Sequence, residues 1–148
     1  MRKGKIDIML VEDNPADARL TEEAMRDCAM PTNLHHVWDG EQAMGFLRRE
    51  GEFANAPRPD IVLLDLNMPK MDGRAVLAQL KGDPRLMTIP VVVLTTSEAE
   101  EDILKSYELH ANCYVQKPVD LDKFISIVGL IENFWLSAVR LPPTPAAA

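Results

Sequence analysis

Cysteine is scarce and poorly placed for chemistry. Cys28 and Cys113 are the two in the chain, far apart and without CxxC or metal-ligand spacing, so neither a disulfide framework nor a zinc site is indicated and a reducing cytoplasm fits best. No apolar run approaches the roughly 20 residues that a membrane span needs. After Met1, Arg2 and Lys3 the apolar stretch is only Ile8 to Val11, between Asp7 and Glu12, too short and too acidic for a signal peptide. Positive charge is in the minority, 16 basic against 23 acidic residues and a formal charge of -7, so the surface repels phosphate backbones and anionic lipid, which excludes nucleic acid and membrane as direct partners. There is no GxGxxG after the first apolar run, no internal repeat and no linker. What remains is 148 residues, 47% apolar and 26% charged, the balance of one soluble domain able to bury a full core.

Short apolar runs organise the chain: Ile6 to Val11, Ile61 to Leu64, Val91 to Leu94 and the weaker Cys113 to Val115. Three are near-continuous, the pattern of strands covered on both faces, which predicts a parallel sheet. A fifth strand is expected at Leu34 to Val37, and the stretches between the runs have the length of crossover helices, giving a βαβαβαβαβα order. Asn14 before Pro15 predicts a helix start, with Leu20, Ala24 and Cys28 recurring along it. Ser97 with Glu100 reads as a capping box, and Asp39 and Asp120 as further N-caps. Gly51 to Pro59 reads as a loop. Residues 1–141 are expected to form the single domain and 142–148, with Pro142, Pro143 and Pro145, a frayed tail.

The expected strand ends are polar. The first run ends in Glu12-Asp13, the third strand in Asp65, the fourth in Thr95, and Lys117-Pro118 follows the fifth. Parallel strands finish on one side, where ligands bind in open α/β sheets. Crowded carboxylates need a proton or a cation, and an all-oxygen donor set favours a hard ion such as magnesium (Mg2+). Asp13 and Asp65 are assigned as direct ligands, Glu12 as a ligand directly or through water, and the Asn67 backbone carbonyl as the third oxygen. Taken singly, each acid could equally cap a helix or face water.

With these pieces in order, Val11-Glu12-Asp13-Asn14-Pro15, Leu63 through Gly73, Leu94-Thr95-Thr96-Ser97 and Lys117-Pro118, the sequence resembles the receiver domain of two-component response regulators from about Lys5 to Leu136. Arg58-Pro59-Asp60, Ser106-Tyr107 and Phe134-Trp135-Leu136 look like the stand-alone receivers that serve phytochrome-type sensor kinases. The resemblance implies a flavodoxin-like (βα)5 fold with strand order 2-1-3-4-5. It implies that Asp65 is the phosphoacceptor for a phosphohistidine on a sensor histidine kinase, assisted by Mg2+, Lys117 and Thr95, in a cytoplasmic protein. It makes Thr95 and Tyr114 the switch pair, lets Asn67 and Ser97 influence phosphoryl lifetime, and suggests a cis bond between Lys117 and Pro118. As an ordinary half-buried strand residue, Tyr114 would need no such role. His35, His36 and His110 sit on no motif and read as packing or surface residues, and the methionines as core filler.

No effector domain is recognisable, so output is expected through protein contact. At about 100° per residue, Phe124, Val128, Ile131 and Trp135 share one face of the last helix, while Ile127, Leu130 and Phe134 form a second apolar stripe, read as a homodimer or partner interface. A broader buried face is the alternative. Three other functions are compatible with parts of the pattern: a phosphoryl shuttle in a phosphorelay, a degenerate receiver binding constitutively, and a haloacid dehalogenase-like phosphatase. The phosphatase needs a general acid where Asn67 stands.

Overall fold

The computed structural model describes residues 5–26, 31–68 and 70–143. Five strands alternate with five helices: β1 (Ile6–Val11), α1 (Pro15–Arg26), β2 (Thr32–Val37), α2 (Gly40–Arg48), β3 (Ile61–Leu64), α3 (Gly73–Gly82), β4 (Val91–Thr95), α4 (Glu100–Glu108), β5 (Cys113–Gln116) and α5 (Leu121–Glu132). All neighbouring strands are parallel, in the order β2-β1-β3-β4-β5. The parallel sheet is the one expected from the continuous apolar runs, and its strand order is the one the resemblance implies.

Strand alternation divides the core into two layers. Met9, Val11, Val62, Leu64, Val91 and Val93 pack under α2 and α3 with Met44, Leu47, Val76 and Leu77. Ile6, Ile8, Leu10, Ile61, Leu63, Val92 and Leu94 face α1 and α5 with Ala18, Met25, Phe124, Val128 and Ile131. β2 starts at Thr32 rather than Leu34 and is only half-buried over most of its length, because it is a sheet edge. That explains how its two histidines are tolerated.

The helix starts follow from short polar side chains. Asn14 Oδ1 accepts the amides of Ala16 and Asp17 at 2.9 and 3.1 Å, Asp39 accepts from Gln42, Asp72 from Arg74 and Ala75, and Asp120 from Lys123. The capping box at Ser97 does not form. α4 begins at Glu100 after Ala99, and Ser97 Oγ instead accepts Ala99 N–H and donates to Asp102. The Gly51 to Pro59 loop contains a 3-10 turn at Gly51–Phe53. No peptide bond among the described residues is cis, so Lys117-Pro118 is trans. Cys28, Pro69 and residues 144–148 lie outside the described residues. Leu141 packs into the α1/α5 layer, and Pro142 and Pro143 are exposed.

α5 runs into a π-helical segment, Asn133–Ala138, which alters the predicted second stripe. Leu130 and Phe134 are 63% and 57% exposed, but Ile127 packs half-buried against the core. The exposed stripe therefore lacks Ile127. Val119, Leu121 and Ile125 add exposed apolar surface near the other end of the helix.

Gly73 shows how tightly the β3–α3 turn is built. A Cβ there would lie 2.2 Å from the Asp65 backbone oxygen and 2.6 Å from Leu66 Cα, while Gly129, inside α5, would meet nothing within 4 Å. In urea unfolding, Gly73→Ala is expected to cost about 1–3 kcal/mol by overpacking. Gly129→Ala is expected to gain about 0.5–1 kcal/mol from helix propensity alone.

Candidate functional site

Register brings the acids together. Val11 pairs with Leu64 and Leu64 with Val93, so Glu12, Asp13, Asp65 and Thr95 leave the sheet at one edge. The Asp65 amide donates to the Val11 carbonyl at 3.1 Å, fixing the two acidic turns to each other. Carboxylate oxygens of Glu12, Asp13 and Asp65 lie within 4.8 Å of one another. Glu12 and Asp65 are buried and Asp13 is more open.

Lys117 reaches this cluster from the end of β5. Its backbone amide donates to the Thr95 carbonyl at 2.7 Å, and its ammonium is buried against Glu12, Asp17 at 3.0 Å and Asp65 at 3.3 Å. The inward aim needs no cis bond, since three carboxylates attract the side chain. Burial pushes Glu12 up to about 7 against the opposing pull of Lys117. Burial also works against the lysine's charge, but Glu12, Asp65 and Asp17 outweigh it and hold Lys117 above its ordinary value.

Asn67 follows on the same turn, its amide donating to Asp65 Oδ1 at 3.3 Å. Thr95 is fully buried, and its hydroxyl accepts the Ser97 amide at 3.5 Å. Tyr114 is half-buried against the α2/α3 layer and donates its hydroxyl to the Ser97 carbonyl at 2.9 Å. All the residues singled out from sequence for this site thus lie at one edge of the sheet or on its adjoining turns and strand β5.

Three features were not read from sequence. Asp17 touches Lys117; the available signal was the Asn14 cap, which puts residue 17 at the third helical position beside the strand ends. His36, taken as packing, donates Nε2–H to the Glu12 carbonyl at 2.8 Å and lies over Trp38, ring centroids 4.1 Å apart. Arg74 bridges α3 to Asp102 of α4 at 2.5 Å, and Asp102 also accepts from Ser97 Oγ at 2.6 Å. Those bonds, from Ser97 and then Arg74, hold the Asp102 carboxyl below its usual range.

A carboxylate held beside a buried ammonium and two further acids, on a doubly wound parallel sheet, is suited to accept an electrophile under electrostatic control. The response regulator receiver domain model matches residues 8–129. The chain belongs to the response regulator receiver family. Among receivers it is 51% identical over 135 residues to response regulator Rcp1 of Synechocystis sp., covering 91% of this chain and 92% of that protein. It is 41% identical over 136 residues to a probable methanogenesis regulatory protein of Methanothrix harundinacea, covering 91% and 86%. The Mn2+-bound structure of Rcp1 superposes with a TM-score of 0.91 at 50% identity, covering 93% of this chain and 99% of that one. The phosphorylated cyanobacterial phytochrome response regulator RcpA superposes at 0.92 with 55% identity, covering 94% and 99%. Among the described residues no helix of this receiver is long and apolar enough to cross a membrane.

The acid cluster fits a hard divalent ion by its donor chemistry, since every side-chain donor is a carboxylate oxygen. With Glu12 titrating at about 7, a proton and the ion compete for the site. Lowering the pH from about 8 to about 6 protonates Glu12, so Mn2+ affinity measured by calorimetry should fall over that window. Glu12→Gln, which has no proton to take up, should bind more weakly at about pH 8, approach the parent at about pH 6 and so flatten the dependence.

Proposed function

We propose that this receiver takes a phosphoryl group from a phosphohistidine of a sensor histidine kinase onto Asp65, and signals through changed contacts with other proteins. The observation that carries the reading is the Asp65 carboxylate facing the buried Lys117 ammonium at 3.3 Å, with Glu12 and Asp13 alongside. An ordinary aspartate is ionised at neutral pH and needs no general base. One Asp65 oxygen forms the new bond to phosphorus, the bond from phosphorus to the donor nitrogen breaks, and the electron pair leaves with the imidazole.

Charge spreads over the equatorial oxygens during transfer, so catalysis here is positioning and electrostatics. Magnesium, held by Asp13 and Asp65 with Glu12 and the Asn67 carbonyl, would supply the divalent charge that neutralises those oxygens. Lys117 supplies an ammonium donor, and the Thr95 hydroxyl a further one when it turns from the Ser97 amide. Movement of Thr95 is read out at Tyr114, whose hydroxyl is bonded to Ser97 in the same loop. Asn67, which replaces the general acid a phosphatase needs, supports a switch over a multiple-turnover enzyme. Incubation with acetyl phosphate and Mg2+ should add one group of about 80 Da by intact mass. That species should be absent in Asp65→Asn. Turnover of many phosphate esters would overturn the reading.

The kinase partner is read as phytochrome-type and the compartment as cytoplasmic. RcpA is described as a phytochrome response regulator, and a further neighbour as a bacteriophytochrome response regulator at 41% identity, TM-score 0.72, covering 86% of this chain and 92% of that one. Homodimerisation through α5 and its π-helical continuation is proposed on the exposed Leu130 and Phe134. In sedimentation velocity the chain should sediment as a dimer at high concentration. The Leu130→Ser, Phe134→Ser double variant should be monomeric, with thermal unfolding that no longer depends on concentration.

A further inference from the structure

An ammonium has three N–H donors, and in this receiver all three have carboxylate partners: Glu12, Asp65 and, from the first turn of α1, Asp17. The first two belong to the acidic turns at the strand ends. Asp17 does not, and its carboxylate is the most open of the three, 26% exposed against 3% for Glu12 and 10% for Asp65. Its position is fixed locally, because Asn14 caps the helix through the amides of Ala16 and Asp17.

We propose that Asp17 is a positioning residue that holds Lys117 toward α1 and competes with the phosphoryl group for its third donor. The inference rests on Asp65 being the phosphoacceptor. When Asp65 becomes an acyl phosphate, negative charge moves outward from its carboxylate to the phosphoryl oxygens, and Lys117 must direct a donor there. The Glu12 contact is the most buried, and a carboxylate deprived of its partner in that position would stand desolvated. Asp17 can be rehydrated as the lysine leaves it. The Asp17 contact is therefore the one that yields, and its loss is part of the cost of phosphorylation. With asparagine at position 17, Glu12 and Asp65 still anchor the ammonium in the pocket, and the neutral amide oxygen holds the third donor less strongly than a carboxylate.

The test is a double-mutant cycle on the rate of Asp65 phosphorylation by acetyl phosphate at saturating Mg2+, followed by intact mass over hours. In this transfer an Asp65 oxygen bonds phosphorus and acetate leaves with the electron pair. Asp17→Asn should phosphorylate roughly two- to fivefold faster than the parent, the range of a partly exposed ion pair, and Asp17→Glu should return toward the parent rate. In a Lys117→Met background the Asp17→Asn change should have no effect. The 15N resonance of the Lys117 ammonium should shift in Asp17→Asn before any donor is added, which a remote structural effect would not produce. An unchanged or slower rate in Asp17→Asn, an acceleration that persists without Lys117, or an unmoved lysine resonance would overturn the proposal. Absence of phosphorylation in the parent chain would instead remove the assignment of Asp65 on which it rests.

Discussion

The structure turns on one unfavourable arrangement made tolerable: several carboxylates gathered at the carboxyl edge of a parallel sheet with a single buried ammonium among them. Parallel register forces the gathering, because β1 and β3 end level with each other and each is followed at once by an acid. Two buried like charges need a proton or a cation. Lys117 is that cation, and β5 exists in register to deliver it, its amide tied to the Thr95 carbonyl at 2.7 Å. The lysine does not fully offset the cost of burying these acids, since burial still pushes Glu12 up to about 7 against its pull. What is left over is the attraction for a divalent ion, so fold stability and ligand affinity here have one electrostatic source.

From that edge a continuous set of polar contacts leads to α4. Thr95 accepts the Ser97 amide, the Ser97 carbonyl accepts the Tyr114 hydroxyl, and the Ser97 hydroxyl donates to Asp102, which is also paired with Arg74 of α3. Burial raises the Tyr114 hydroxyl above its usual range, so it remains a protonated donor under ordinary conditions. Ser97 is thus a junction: its amide, carbonyl and side chain each bind a different element. Any displacement of the β4–α4 loop must be shared among the threonine, the tyrosine and the helix.

Much of this was legible because it follows from composition along the chain. Continuous apolar runs specified buried parallel strands, and Asp, Asn and Pro marked most helix starts. The acids and lysine at strand ends, in order, specified the site. The failures have physical reasons too. Ser97 and Glu100 match a capping box, but α4 begins only at Glu100, so the Ser97 oxygen accepts the Ala99 amide ahead of the helix while its hydrogen goes to Asp102, brought near by tertiary packing that no local spacing reveals. A uniform 100° rotation places Ile127 outside, whereas its flank of α5 packs into the α1/α5 layer and the helix then loosens into a π-helical segment. Asp17 and His36 were passed over because their roles depend on neighbours brought in by the fold: the incoming Lys117 and the backbone carbonyl of Glu12.

A ligand shifts a conformational equilibrium only by the difference in its interactions with the two states. The buried Thr95 hydroxyl oxygen accepts the Ser97 amide at 3.5 Å, at the long limit for hydrogen bonding, so little is lost when the side chain turns to donate its O–H to an anion. The Tyr114 contact at 2.9 Å and the Asp102 contact at 2.6 Å are of ordinary or short length. The gradient from weak to strong therefore runs outward from the site. On the proposed reading a phosphoryl oxygen would have only the weakest bond to overcome, and the stronger ones beyond it would carry the displacement to α4 as a unit instead of absorbing it. Coupling built this way is expected to be modest, about 1–3 kcal/mol, which leaves both conformers within reach of partner binding.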